Sequence, residues 1–223
     1  MVTPSVPHAP VLRMVAVRGL PWFGGAELSV HGNQCLAIAA TAGCAEHFGD
    51  LVQGLRAPAA GAVEVCGVDW RGLSAHAAYA LRGKVRRLAP SMDWIQNLNV
   101  DENVLLPMLD LSSVPERELR ARAETMAQRV GLDAIPCSRP HDTARDDLWA
   151  SAAIRTFLGE PALVVVEPLP RDLPAPVRSG IVALAGEARA NGAALLWLDG
   201  REPDLACDGH GELRPDTVLE FPR

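Results

Sequence analysis

Hydrophobic positions along the chain fall into two alternating rhythms. Short apolar runs read as strands at Val11–Val17, Ala26–Val30, Cys35–Ala40, Gly61–Cys66, Lys84–Leu88, Leu163–Val166 and Ala193–Leu198. Between them apolar residues recur at helical spacing. Phe48, Leu51, Val52 and Leu55 mark one helix, and Leu119, Ala123, Met126, Ala127 and Val130 mark the face of another. Further helices are expected over Ser74–Leu81 with Ser74 as cap, over Ala144–Leu158, and over Pro176–Ala190. A short helical turn is expected over Glu202–Ala206 and a last hairpin over Gly211–Phe221. Strands alternating with helices predict an α/β core, with a helical insertion near residues 95 to 160.

One stretch organises the rest. Cys35–Ala40 is an apolar run, Thr41–Ala45 a small-residue turn, and a helix follows. Strand, tight turn and helix form the frame of a phosphate-binding loop, where backbone N–H groups and a helix N-terminus face an anion. The pattern for such a loop is G-x-x-x-x-G-K-[ST]. In that register the chain reads Ala40, Thr41, Ala42, Gly43, Cys44, Ala45, Glu46, His47. The frame is kept and the phosphate-binding residue types are not.

The flanks narrow the reading. His31-Gly32-Asn33-Gln34 precedes the strand, and Gly54-Leu55-Arg56-Ala57-Pro58-Ala59-Ala60-Gly61 follows the helix. Asn97-Leu98-Asn99-Val100-Asp101-Glu102-Asn103-Val104-Leu105-Leu106-Pro107 and Glu202-Pro203-Asp204-Leu205-Ala206 supply two further matches. Together these segments resemble ABC-transporter ATPases of the lipoprotein-release, macrolide-export and cell-division type. The resemblance runs from Val11 to Phe221. It implies a P-loop NTPase-like ABC ATPase fold: a mixed sheet core, an antiparallel β subdomain and a helical subdomain inserted at 95–160, the core being 1–94 and 161–223. Trp22 or Phe23 would either stack on a base or pack on the sheet.

The same resemblance assigns positions to the catalytic parts, and the residues there are unsuited to them. Phosphoryl transfer needs a lysine on the phosphates, a hydroxyl and an acid for Mg²⁺, and a group that positions water. Glu46 stands at the lysine position, and His47 and Phe48 replace the hydroxyl pair. Gly43 remains, whereas Ala40 and Ala45 replace the other glycines. The glutamine that reaches metal and water falls on Pro90. The signature segment falls on Thr143-Ala144-Arg145-Asp146-Asp147, without its serine or glycines. The Asp-Glu pair at the strand end reads Val166-Glu167, and the switch histidine is Arg201. Glu167 could serve as metal ligand, as base, or as neither.

Composition adds three constraints. The formal net charge is −6, which argues against a basic nucleic-acid-binding surface. Lys84 is the only lysine, so none is available to any phosphate loop. Five cysteines without paired spacing, and a Pro-rich start without a signal-peptide pattern, suggest a reducing compartment. Cys207-Asp208-Gly209-His210 lacks the second ligand pair a metal site needs, and no metal site is expected.

The expectation is therefore a non-catalytic ABC-type subunit, with ATP and Mg²⁺ binding weak or absent. It would sit peripherally on the cytoplasmic face of the cell membrane. Its partners would be a membrane permease and a second ABC ATPase-like subunit, as homodimer or heterodimer, and no nucleic acid. The alternative is an ATP-binding subunit of a heteromeric transporter whose partner hydrolyses ATP. In the family the segment after residue 94 borders the cleft that receives the permease. Trp94, Ile95, Leu98, Val100 and Asn103 are the residues expected there.

Overall fold

Successive side chains of a strand point to opposite faces, and this alternation divides the molecule into two apolar layers. The computed structural model describes residues 9–19, 25, 27–199 and 213–220. In chain order the elements are β1 (Leu12–Arg18), β2 (Leu28–Val30), β3 (Cys35–Ala39), α1 (Ala42–Val52), β4 (Ala60–Val65), β5 (Val68–Asp69), α2 (Ala75–Arg82) and β6 (Val85–Leu88). There follow α3 (Val100–Leu111), α4 (Glu116–Arg129), a 3₁₀ turn (Pro140–Asp142), α5 (Arg145–Phe157), β7 (Leu163–Val166), α6 (Ala175–Ala190), β8 (Ala194–Asp199) and β9 (Thr217–Glu220).

Among the described residues, one sheet has four strands in the order β2-β1-β4-β5 with antiparallel pairing. The other has five in the order β6-β7-β8-β3-β9, and every pairing in it is parallel. The antiparallel and parallel strands of this α/β fold are thus sorted into separate sheets. Leu163 and Val165 of β7 share an apolar cluster with α1 and the antiparallel sheet. Val164 and Val166, on the opposite face, share another with α3, α4, α5 and α6.

Most expected elements form near their expected bounds. Ser74 caps α2, its hydroxyl accepting from Ala77 N at 3.2 Å. Strands β4 and β5 are joined by a two-residue hairpin turn, Cys66-Gly67, with positive φ at both residues. The tail differs from expectation. Among its described residues it gives one strand, β9, which pairs with β3 rather than forming a hairpin. Asp216 fixes that strand by accepting from Cys35 N at 2.7 Å and from Arg189 at 2.8 Å. Cys35 lies buried at this join, and desolvation pushes its thiol up to about 12 against the opposing pull of Arg189.

Helices α4 and α6 meet at Gly180. A Cβ there would lie 2.4 Å from the Arg129 carbonyl oxygen and 2.6 Å from Val130 Cα, both backbone atoms that cannot swing aside. Gly180→Ala is expected to lower stability by about 1–2 kcal/mol, because overpacking outweighs alanine's better helix propensity. Chemical denaturation checks this; an unchanged midpoint would mean that the two helices separate freely.

Candidate functional site

The turn after β3 is shorter than the frame suggested. Ala40 N donates to Asp199 O at 2.7 Å, and helix α1 begins two residues later at Ala42. Thr41 is its N-cap: the hydroxyl accepts from Cys44 N at 3.4 Å, and the Thr41 carbonyl accepts from Ala45 N at 2.8 Å. The expected loop Thr41–Ala45 is therefore wound into the first helical turn. The cause is local: threonine is a good cap, and alanines at 42 and 45 favour helix. Gly43 and Glu46 are exposed, His47 is half-buried, and Phe48 is fully buried among the apolar residues beneath the sheet.

Below that turn lies a buried ion-pair cluster. Glu167 follows β7 and continues the alternation of Leu163 and Val165, so its side chain faces α1. It is 3% exposed. Arg87 of β6 donates to Glu167 Oε1 from Nε at 2.5 Å and pairs with the same oxygen through Nη2. The same guanidinium donates to Asp50 Oδ1 at 2.8 Å and to the Glu46 carbonyl oxygen at 3.2 Å. Burial pushes the Glu167 carboxyl above its ordinary range, while Arg87 pulls it down. Gly49 is what allows α1 this close. A Cβ there would stand 2.6 Å from Arg87 Nε and 2.8 Å from Glu167 Oε1. Val166, the other half of the expected acidic pair, is fully buried in the layer on the opposite face.

The remaining expected positions are dispersed. Pro90 is exposed at the start of a turn in which Met92 and Asp93 adopt positive φ. Thr143 bonds Arg139 O and Ser138 Oγ, Ala144 is the N-cap residue of α5, and Arg145 pairs with Asp172 at 2.8 Å. Asp146 and Asp147 form the half-buried acidic first turn of α5. Arg201, the helical turn over Glu202–Ala206, Cys207, His210, Trp22 and Phe23 lie outside the described residues. Among the described residues no cluster of three or more His, Cys, Asp or Glu side chains could hold a metal ion.

The expected partner patch needs correcting at two of its five residues. Val100, the first residue of α3, is fully buried, and Asn103 in the same helix is 2% exposed. Their apolar packing and hydrogen bonds hold the loop from inside, so neither offers a surface contact. Trp94 and Leu98 are half-buried, and Ile95 is exposed. Beside this loop opens a cleft of about 540 Å³ between α1, α2, β6, α3 and α5. Its wall includes the exposed Tyr79 and Leu106, and its lining includes Arg86 and Arg155. None of these four was expected from sequence. The available signal was Arg86-Arg87 inside a strand, which sends one arginine to each buried face.

No family model matches the chain. It is 31% identical to the methionine import ATP-binding protein MetN of Caulobacter vibrioides, over 56% of this chain and 37% of that protein. It is 23% identical to the lipoprotein-releasing system ATP-binding protein LolD of Chromohalobacter salexigens, over 85% of this chain and 81% of that one. The chain spans less than half the length of the MetN relatives, 37% and 43% of two of them. Among solved structures, the ATP-binding subunit of an ABC transporter superposes with a TM-score of 0.77 at 16% identity, over 95% of this chain and 85% of that one. The dimeric ATP-binding cassette MJ0796 bound to ADP and Pi gives 0.72 at 14% identity, over 85% and 88% of the two chains. No helix among the described residues is long and apolar enough to cross a membrane. This chain is similar in sequence to ABC-transporter ATP-binding subunits and shares the fold of their solved structures over nearly its whole length.

Proposed function

We propose that this chain is an ABC-type transporter subunit that docks on the cytoplasmic side of a membrane permease, pairs with a second ABC-type subunit, and hydrolyses no ATP itself. The observation that carries the last part is the state of Glu167. It is the one carboxylate at the end of β7, and Arg87 already holds it in a buried pair. A group so engaged is poorly placed to coordinate a metal or take a proton from water.

The β3–α1 turn supports the same reading. Residues 42–45 are helical, Thr41 occupies one of the freed amides, and Glu46 follows in the next turn. Near a protein surface, where the effective dielectric is about 20, two unit charges at about 4 Å interact by roughly 4 kcal/mol. Exchanging a lysine for a glutamate against a polyphosphate therefore costs several kcal/mol, even after screening. The residues present do not fit Mg²⁺-ATP, and no catalytic step is derived through it.

A second reading has its own support. The relatives are named ATP-binding proteins, and MJ0796 is a dimer bound to ADP and Pi. On that reading the chain retains nucleotide in a heteromer, and an active partner performs hydrolysis. Calorimetric titration of the purified chain with Mg-ATP separates the two. No saturable heat is expected, and micromolar saturable binding would favour the second. Glu46→Lys alone is expected to restore no turnover, because Val166 and Glu167 still supply no free acid.

A further inference from the structure

We infer that Arg87 is a built-in replacement for the divalent cation of a P-loop ATPase, a guanidinium that joins α1 to the end of β7 whether or not nucleotide is present. This rests on the non-catalytic reading above and adds what the chain uses where such an enzyme uses metal. In phosphoryl transfer by P-loop enzymes the metal is held between a hydroxyl on the helix that follows the phosphate loop and an acid at the end of a neighbouring strand. Here the corresponding helix and strand end are α1 and Glu167, and a side chain joins them.

Four oxygens face one guanidinium. Glu167 Oε1 accepts from Nε at 2.5 Å and pairs with Nη2. Asp50 Oδ1 and Gln53 Oε1 accept from Nη1 at 2.8 and 3.5 Å, and the Glu46 carbonyl oxygen accepts from Nη2 at 3.2 Å. Two carboxylates, an amide and a backbone carbonyl form an all-oxygen set of the type a hard divalent cation takes. The two carboxylates outnumber the single positive charge. Burial pushes the Glu167 carboxyl up, Glu46 and Asp50 push it further, and Arg87 pulls against them. Arg87 is thus the counter-ion of a site that a dication would also neutralise.

The backbone is shaped to this join. The Arg87 side chain is 13% exposed and that of Glu167 4%. A Cβ on Gly49 would stand 2.6 Å from Arg87 Nε and 2.8 Å from Glu167 Oε1, so a larger residue there would drive α1 away. Glycine inside a helix costs conformational entropy, and α1 carries it where the guanidinium passes. An exchangeable metal leaves with its nucleotide, whereas a side chain stays. The subunit therefore keeps one arrangement of α1 against the sheet, and ATP-dependent changes are left to its partner.

The test exchanges one cation for another. Purified wild type, Arg87→Ala and the double variant Arg87→Met with Glu167→Leu are melted in EDTA and in Mn²⁺, with hydrogen exchange followed over residues 42–52. Wild type should melt at the same temperature in both and keep α1 protected. Arg87→Ala should lose protection over α1 in EDTA and regain it in saturating Mn²⁺, with a rise of about 5 °C or more in Tm. The double variant, which carries neither charge, should be indifferent to Mn²⁺. If Arg87→Ala does not fold in EDTA, Arg87→Gln carries the comparison. A Mn²⁺ response missing from both single variants, equally large in wild type, or persisting in the double variant overturns the inference and leaves the non-catalytic reading intact. Micromolar Mg-ATP binding by wild type, with new protection over residues 42–52, overturns the reading and the inference together.

Discussion

Arg87→Ala is expected to lower the free energy of unfolding by about 3–5 kcal/mol, the range for stripping one partner from a buried pair. Arg87 on β6 reaches Glu167 just after β7, Asp50 on α1 and the Glu46 carbonyl, so its loss unties one helix and the ends of two strands. The larger penalty falls on Glu167, whose side chain is only 4% exposed and would keep its charge without a counter-ion. That makes the loss pH-dependent, with a definite sign. Burial already raises this carboxyl above its ordinary 4.5, and removing Arg87 removes the attraction that pulls it down. A folded-state pKa above the unfolded one means that the folded form binds the proton more tightly. Stability is then fully present below the unfolded pKa and is lost as pH rises through the folded one. Urea melts at pH 5 and pH 7.5 should show the deficit of Arg87→Ala growing with pH. Replacing both residues, as Arg87→Met with Glu167→Leu, should recover most of the loss, since an apolar pair carries no desolvation cost. A deficit under about 1 kcal/mol at pH 7.5 would mean that water reaches the pair and that Glu167 is available for chemistry after all.

The same pair shows where reading the sequence stopped. Period and caps made β7, α6 and the Ser74-capped α2 legible, because each depends on residues a few positions apart. Arg87 and Glu167 are 80 positions apart, and nothing local records that β6 and β7 lie side by side. Glu167 was legible as an acid at a strand end, while the partner that engages it was not. Helix α3 was read as a motif rather than as a helix, although Asn99 and Glu102 form a reciprocal cap. Pro107 within it reads as a breaker. The early start of α1 was masked by the phosphate-loop register, which treats residues 41–45 as a turn. Three small residues after a threonine satisfied helix rules equally well.

Asn103→Ala is expected to cost about 2–4 kcal/mol and to loosen the loop that carries Trp94 and Ile95. The Asn103 side chain accepts from Ile95 N at 2.9 Å. It donates to the carbonyls of Ile95 at 3.0 Å, Leu98 at 3.3 Å and Asn99 at 2.9 Å. One 2% exposed amide therefore satisfies both edges of the loop that presents Trp94 and Ile95. Alanine leaves those backbone groups to find water or go unpaired, at about 1–3 kcal/mol for a buried group left unsatisfied. Asn103→Asp separates the two edges: it keeps the acceptor for Ile95 N but offers no donor to three carbonyls and adds a buried charge. It should therefore destabilise at least as much as alanine at neutral pH and recover toward pH 4, as the carboxyl is protonated. Hydrogen exchange reads the local effect, with amides of residues 95–99 losing protection in both variants while those of β7 and β8 keep theirs. Uniform loss across the molecule would instead make Asn103 a general pillar of the fold. Protection left unchanged would mean that the loop is held by Trp94 under Arg155 alone. A residue first read as a partner contact thus ties the 95–99 loop together from beneath its surface.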